Sequence, residues 1–360
     1  MKIVYIGNYR DKTGWGAAAE ANILAMNSVG LNVVPRPISF GSNGEAHPII
    51  QQLEEQSCSN ADIIIQHALP QYYYVNKKVR NIGFYCVETD DFYASGWRKY
   101  INQMDQAWVM SEHNYNASIV SGVQTKVNVV PYSIDINKFD LNNKTAQIDE
   151  LKNTFNFCFV GEWNHRKNIE SLLRAFYSEF HRSEPVNLFI KLSSNMPSEQ
   201  CMAEFNKLND HVKSGLKLNK YKNISVVCGK MDHQHYLSIL NQCHVFVCPS
   251  RGEACCIPMI EAQAMGLSVL VTANTGMDDY IVSGYSIPSK EDICFGMQST
   301  LPEIQTGYEY WKSIDTINLK ISMRSMYECG IEKEEASKQT KEKYNYESVG
   351  NKIKEILTWI

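Results

Sequence analysis

Short apolar runs alternate with helix-length amphipathic stretches along almost the whole chain, and this alternation restricts the fold more than any single residue does. The runs "KIVYIG" (2–7), "DIIIQH" (62–67), "NIGFYCVE" (81–88), "QAWVM" (106–110) and "KVNVVP" (126–131) read as strands. A second series follows in "NFCFVG" (156–161), "VNLFIK" (186–191), "NISVVCG" (223–229), "HVFVCPS" (244–250) and "LSVLVT" (267–272). Apolar strands separated by amphipathic helices are the pattern of βα units, whose parallel sheets are covered on both faces. The polar, Asn-rich stretch 137–153 divides the two series and reads as a linker between two α/β halves. A chain of 360 residues has the length for two cores, at about 150 residues per domain. The tail "YNYESVGNKIKEILTWI" places Val349, Ile353, Ile356, Leu357 and Ile360 at helical spacing and reads as an amphipathic closing helix.

Charge and cysteine usage narrow the function classes. A formal net charge of −4 offers no basic face for nucleic-acid phosphates, so no nucleic-acid partner is expected. The eleven cysteines are odd in number and lack Cys-x-x-Cys spacing, which argues against a disulfide framework or a zinc site. Cys86, Cys158, Cys228 and Cys248 lie in apolar runs, where free thiols behave as small core residues in a reducing compartment. The opening "MKIVYIG" reads at once as strand and turn, with no room for a cleavable secretion signal, and no run approaches the roughly 18 apolar residues of a membrane span. A cytoplasmic protein is expected. Lys77, Lys78 and Arg80 in the aromatic stretch "PQYYYVNKKVR" read first as an exposed basic turn, with an anionic membrane surface as the further candidate partner should the acceptor be membrane-bound.

In parallel sheets, ligands sit beyond the carboxyl ends of the strands, where loops lead into helix N-termini. In "GNYRDKTGWGAAAE", Gly14 and Gly16 allow an anion close to the backbone ahead of an Ala-rich helix; a simple turn is the plain alternative. In "FVGEWNHRKNIESLLRAF", Asn168 reads as the N-cap of a helix, which leaves Arg166 and Lys167 at a positive helix end that solvent or a bound phosphate must compensate. In "RGEACCIPMIEAQAMG", Glu253 and Glu261 stand seven intervening residues apart around Pro258, which suits a first helical turn. The N–H groups of Ala254, Cys255, Cys256 and Ile257 open this helix, and a carboxylate there can accept from vicinal sugar hydroxyls. Two glutamates that merely cap the helix fit the same spacing.

With these motifs in place, the chain resembles the retaining glycosyltransferases of the GT-B architecture, in particular the group 1 family (glycosyltransferase family 4). "EACCIPMIEA" fits the family hallmark of Glu, seven residues, Glu and Ala, and the resemblance extends over "TGWG", "DQAWVMSEHNYNASIVSGV", "VNVVPYSID", "FVGEWNHRKNIESLLRAF", "VFVCPS" and "YNYESVGNKIKEIL". It implies two Rossmann-like domains facing a central cleft, residues 1–133 completed by a closing helix at 344–360, and residues 134–343 holding the nucleotide sugar. It further implies that Glu261 binds the ribose hydroxyls, that Glu253 and the following N–H groups hold the donor sugar, and that Lys167, with Arg166, neutralises the leaving diphosphate. The resemblance also implies that Gly14 and Gly16 form the opposing wall and that His67 is the histidine that approaches the donor sugar, although His67 taken alone reads as a structural residue. Two departures stand out: Gly161-Glu162 replaces the usual Gly-Arg, with Arg166 as the substitute cation, and Ala254-Cys255-Cys256 replaces Gly-Phe-Gly.

The implied activity is retaining, metal-independent transfer of a hexose-type sugar from a nucleotide diphosphate sugar to a hydroxyl of a glycan, lipid-linked or small-molecule acceptor, as in polysaccharide assembly. No further cofactor is implied. Glu88, Thr89 and Tyr73 are the acceptor-side candidates in the aromatic first half. Asp90-Asp91 and Asp278-Asp279 read as solvated turns rather than metal ligands. The rival reading is a degenerate relative that binds a nucleotide sugar or glycan without transfer.

Overall fold

The structure is a computed structural model and describes residues 1–11, 13–39, 44–143, 145–297, 304–330 and 332–358. Lys144 of the expected linker and Ile360 of the expected tail helix lie outside the described residues. The chain forms two compact units. Unit 1 takes Met1–Ile136 and Lys341–Ile360, together with a short segment, Leu301–Glu309, of which residues 304–309 are described. Unit 2 takes Asn137–Thr300 and Tyr310–Thr340.

Unit 1 contains a six-stranded parallel sheet of β1 (Lys2–Gly7), β2 (Asn32–Pro37), β3 (Ile63–His67), β4 (Arg80–Phe84), β5 (Gln106–Val109) and β6 (Val127–Val129), in the order β2-β1-β3-β4-β5-β6. The helices α1 (Gly14–Ser28), α2 (Pro48–Glu54), α3 (Trp97–Ile101) and α4 (Glu112–Val120) connect the strands. β2 is not among the expected strands; its Pro35 and Pro37 lack the N–H a central strand needs, and it sits at the sheet edge, where that loss is tolerated. β4 stops at Phe84, short of the expected end at Glu88, because the side chain of Asn114 takes over both backbone groups of Val87.

Unit 2 repeats the design with β7 (Phe155–Glu162), β8 (Val186–Ser193), β9 (Ser225–Cys228), β10 (Val245–Cys248), β11 (Ser268–Thr272) and β12 (Gly284–Ile287), in the parallel order β12-β11-β10-β7-β8-β9. Its connecting helices are α5 (Ile169–Glu179), α6 (Ser198–Leu216), α7 (His233–Gln242) and α8 (Ile257–Ala264). An antiparallel hairpin, β13 (Ser289–Ile293) and β14 (Tyr310–Ile314), precedes α9 (Thr316–Cys329) and α10 (Lys333–Tyr344). The core gathers Phe157, Phe159, Leu188 and Ile190 from neighbouring strands against Leu172, Leu173 and Phe176 of α5, whose apolar residues recur at the helical period.

The last helix, α11 (Tyr346–Thr358), buries Val349, Ile353 and Leu357 and packs along α1 in unit 1. Gly350 makes the approach possible: a Cβ there would stand 2.2 Å from the carbonyl oxygen of Ala25. Among the described residues no helix is long and apolar enough to cross a membrane.

Candidate functional site

Two loops at the carboxyl ends of the adjacent strands β7 and β10 build the charged centre of unit 2. After β7 the chain makes one 3₁₀ turn, His165–Lys167, capped by Asn164, whose side chain accepts from the N–H of Lys167. Asn168 then adopts a left-handed conformation with φ 51° and admits the chain into α5. Its side chain does not cap α5 as expected; it donates to the carbonyl of Pro249 at 3.1 Å. The N–H of Arg251 donates to the carbonyl of Arg166 at 2.7 Å, which ties the two loops further.

This stitching closes the buried cluster. Oε1 of Glu253 accepts from Lys167 Nζ at 2.5 Å and from Ser250 Oγ at 2.5 Å, and it lies 2.8 Å from Arg166 Nη1. Arg166 Nη1 also donates to the carbonyl of Gly252 at 2.7 Å. Burial raises the pKa of the Glu253 carboxyl, but the cations of Arg166 and Lys167 and the hydrogen bonds more than reverse this and hold it at about 2. For Lys167 burial opposes the charge, and Glu253 outweighs burial and raises its pKa. The anion that the two cations require is therefore present in the chain itself, rather than solvent alone. Glu162, which replaces the family arginine, is exposed and accepts from Asn164 at 2.9 Å.

Glu253 precedes α8, and Glu261 is its fifth residue, beyond the first turn. Neither caps the helix: its N-cap is Cys256, in a left-handed conformation with φ 60° and without a side-chain cap bond. Glu261 meets a different environment, in which Tyr236 of α7 donates to its Oε2 at 2.8 Å. Burial pushes the Glu261 carboxyl up to about 7, against weaker lowering by Tyr236 and the charge of Lys138. Cys255 and Cys256 are both buried at the head of α8. Gly276 supports the loop from outside, its N–H donating to the carbonyl of Glu253 at 2.9 Å, and a Cβ there would lie 2.1 Å from the carbonyl oxygen of Ala254.

Ser250, Tyr236 and Gly276 are the members of this site that the sequence reading missed. Ser250 stands three residues from Glu253, the one local signal; Tyr236 and Gly276 reach the glutamate loop only through the fold. A metal does not fit the centre. Sγ of Cys248, Sγ of Cys256 and a carboxylate oxygen of Glu253 lie within 4.8 Å of one another, but two cations already occupy that carboxylate. Asp278 accepts from the N–H of Asn274 at 2.7 Å in a turn, and Asp90 lies 3.8 Å from His113.

In unit 1, His67 ends β3 and is only 1% exposed. Its Nδ1 shares a hydrogen with the Tyr5 hydroxyl at 2.6 Å, and its ring stacks on Phe84 at 4.3 Å between centroids. Nε2 is buried with no hydrogen-bond partner among the described residues, and burial lowers the imidazole pKa to about 3. Trp15, between Gly14 and Gly16, lies 5.5 Å from the His67 ring. Gly16 has a steric reason of its own, since a Cβ would stand 2.0 Å from the carbonyl oxygen of Asp11; Gly14 faces open space. Tyr73 packs its ring against Gly83, and the hydroxyl of Thr89 donates to the carbonyl of Asp91 at 2.7 Å. Glu88 is partly exposed nearby in sequence.

Residues 154–298 match the family model described as glycosyl transferases group 1. A human phosphatidylinositol N-acetylglucosaminyltransferase polypeptide is 24% identical over 187 residues, which is 50% of this chain and 34% of that protein. The match thus spans about a third of the curated relative's length. Among solved structures, Anabaena HepE in complex with UDP and glucose is similar over 100% of both chains at 14% identity, with a TM-score of 0.63. Sucrose-phosphate synthase from Thermosynechococcus elongatus is similar over 100% of this chain and 98% of that one at 13% identity and a TM-score of 0.65. An alpha,alpha-trehalose-phosphate synthase (UDP-forming) from Burkholderia xenovorans, in complex with glucose-6-phosphate, is similar over 99% and 100% at 9% identity, with a TM-score of 0.67. The expected resemblance to group 1 glycosyltransferases and the GT-B type of fold is thereby shown.

Proposed function

We propose that this chain, whose residues 154–298 match the glycosyl transferases group 1 model, is a retaining glycosyltransferase that moves a hexose-type sugar from a nucleotide diphosphate sugar to an acceptor hydroxyl. The observation that carries this reading is the buried Glu253–Lys167–Arg166 cluster at the head of α8. Glycosyl transfer needs a stabilised leaving diphosphate, and preorganised cations beside a helix N-terminus supply that without a metal. Lys167 and Arg166 take the diphosphate charge, and Glu253 with the backbone of Ala254, Cys255 and Cys256 holds the donor sugar. Glu261 accepts from the ribose hydroxyls in its ionised form. His67 is kept as the candidate catalytic histidine of unit 1, uncharged at neutral pH and so a neutral hydrogen-bonding group rather than a cation. Retention follows from same-face attack, with the donor phosphate accepting the acceptor proton. A structural neighbour, a trehalose-6-phosphate synthase, has been studied for glycosyl transfer with retention. Glu88, Thr89 and Tyr73 are kept as acceptor-side residues, with a glycan, lipid-linked or small-molecule acceptor.

The test begins with nucleotides. UDP, GDP and ADP are added in turn to the wild type and to Glu261→Ala, and thermal stabilisation is measured, since a ligand that binds only the folded state raises apparent stability by mass action. UDP comes first, because it accompanies the HepE neighbour. Stabilisation by one nucleotide, lost in the variant, is expected; none at any concentration overturns the reading. With the donor identified, Lys167→Ala abolishes turnover in a chain that still folds. A product of inverted anomeric configuration would sink the retaining mechanism, and binding without turnover would favour the degenerate relative.

A further inference from the structure

The sulfurs of Cys248 and Cys256 lie 3.7 Å apart, both buried, on either side of the loop that carries Ser250 and Glu253. We propose that they form a redox modification site, which a peroxide-class oxidant closes into a disulfide that deforms the Glu253 loop and removes nucleotide-sugar binding. The bond itself rests on the thiol geometry; its consequence rests on the function proposed above.

Three observations single out this pair. Cys256 is held at φ 60°, a left-handed conformation that costs a residue with a Cβ energy and that persists only where the surroundings enforce it. That conformation turns its thiol toward Cys248 as the chain enters α8. Second, the two thiols lie within hydrogen-bond reach, and with Cys256 as the donor this contact and the charge of Lys167 favour the Cys248 thiolate against burial and the charge of Glu253, so one partner is the nucleophile and the other supplies the second sulfur. At the neighbouring Cys255, burial and the charge of Glu253 outweigh that of Lys167 and push the thiol well up. Third, Cys248 is fixed in β10 between β7 and β11, whereas Cys256 ends a loop. Closing 3.7 Å to a disulfide of about 2 Å therefore moves Cys256, and with it the first turn of α8 and the loop that holds Glu253 against Lys167.

The chemistry balances with peroxide alone. The Cys248 thiolate attacks one peroxide oxygen, the O–O bond breaks, and a sulfenic acid forms as the other oxygen leaves as water after taking a proton. The Cys256 sulfur attacks the sulfenic sulfur, the S–O bond breaks, and a second water leaves with the Cys256 proton. Two thiols lose two electrons in total, and one peroxide gains them. A dithiol reductant reverses the bond by exchange.

Arg251 lies between the two cysteines, so trypsin separates their peptides unless a disulfide joins them. The full chain is treated with hydrogen peroxide, blocked with a thiol alkylator under denaturing conditions and digested, and fragment ions assign the linked sulfurs. The expected result is a joined pair through Cys248 and Cys256, reversed by dithiothreitol, with loss of the nucleotide-induced thermal shift in the oxidised protein and its return on reduction. Cys248→Ser keeps the thermal shift and makes it insensitive to peroxide; Cys248→Ala repeats the test should the serine variant fold poorly. Cysteines 248 and 256 recovered fully alkylated, or linkage through Cys255 or Cys243 in their place, overturns the proposal, as does a disulfide that leaves the shift intact. A reduced wild type that binds no nucleotide would overturn the proposed function, while the joined peptides would still decide the bond.

Discussion

The loop before α8 and the second turn of α8 each bury a glutamate, and the two are held in opposite states. Glu253 sits among Lys167, Arg166 and Ser250 and is held at about 2; Glu261 meets the Tyr236 hydroxyl, with the charge of Lys138 less directly placed, and is pushed up to about 7. Burial raises the pKa of both, and the difference lies in the partners. Two cations in contact outweigh desolvation, whereas one phenol and a weaker charge do not. Glu253 is thus a permanent anion that fixes a pair of cations, while Glu261 is a carboxylate close to its own titration at neutral pH. The same strand-loop-helix connection supports both because neighbouring elements, rather than α8 itself, set the charge.

The largest test of this contrast is Glu253→Gln. The change keeps the shape but leaves two buried cations without their anion, and a cost of about 3–5 kcal/mol in urea denaturation is expected, together with loss of donor turnover. A cost below about 1 kcal/mol would mean that water or ions already screen the cluster, and the contrast would fail.

Glu261→Gln should act in the other direction. The folded pKa of Glu261 is about 7 against an ordinary 4.5, so the stability favouring the protonated fold is full below 4.5 and is lost as pH rises through 7. The variant, which cannot ionise, is expected to exceed the wild type by about 3 kcal/mol at pH 8 and to match it near pH 4, even as it loses nucleotide binding. For Glu253 the sign is reversed. Its folded pKa is about 2 against 4.5, so its contribution is present above 4.5 and is lost as pH falls through 2. Equal pH dependence for Glu253→Gln and Glu261→Gln would erase the distinction.

Tyr236→Phe is the smallest and sharpest change. It removes a hydrogen bond that favours the Glu261 carboxylate, at a cost of about 1 kcal/mol, and should move the pH midpoint of nucleotide binding upward. An unchanged midpoint would assign the tuning of Glu261 to Lys138 alone.

All ten strands expected from the alternation of apolar runs are present, because strand and helix periodicity is written in adjacent residues and survives any tertiary arrangement. The unexpected strands are instructive. β2 carries two prolines, which only an edge position accommodates, and β12 is four residues long and begins with Gly284. The loops bearing Lys167 and Glu253, and the proline and glycine that bound α8, could be read from local spacing in the same way.

The pairing of those loops could not. Lys167 and Glu253 are 86 positions apart and meet because β7 and β10 are neighbours in a parallel sheet whose strands end on one side. Asn168 looked like a helix cap and became a bracket between two loops, a choice made by its left-handed backbone and the carbonyl of Pro249. The sequence by itself determined the alternation, the order of elements and the residue types brought to the carboxyl ends of the strands. The tertiary structure alone decided which carboxylate would face two cations and which a phenol, because desolvation and Coulomb attraction depend on distance and burial in space, and neither is encoded in the spacing along the chain.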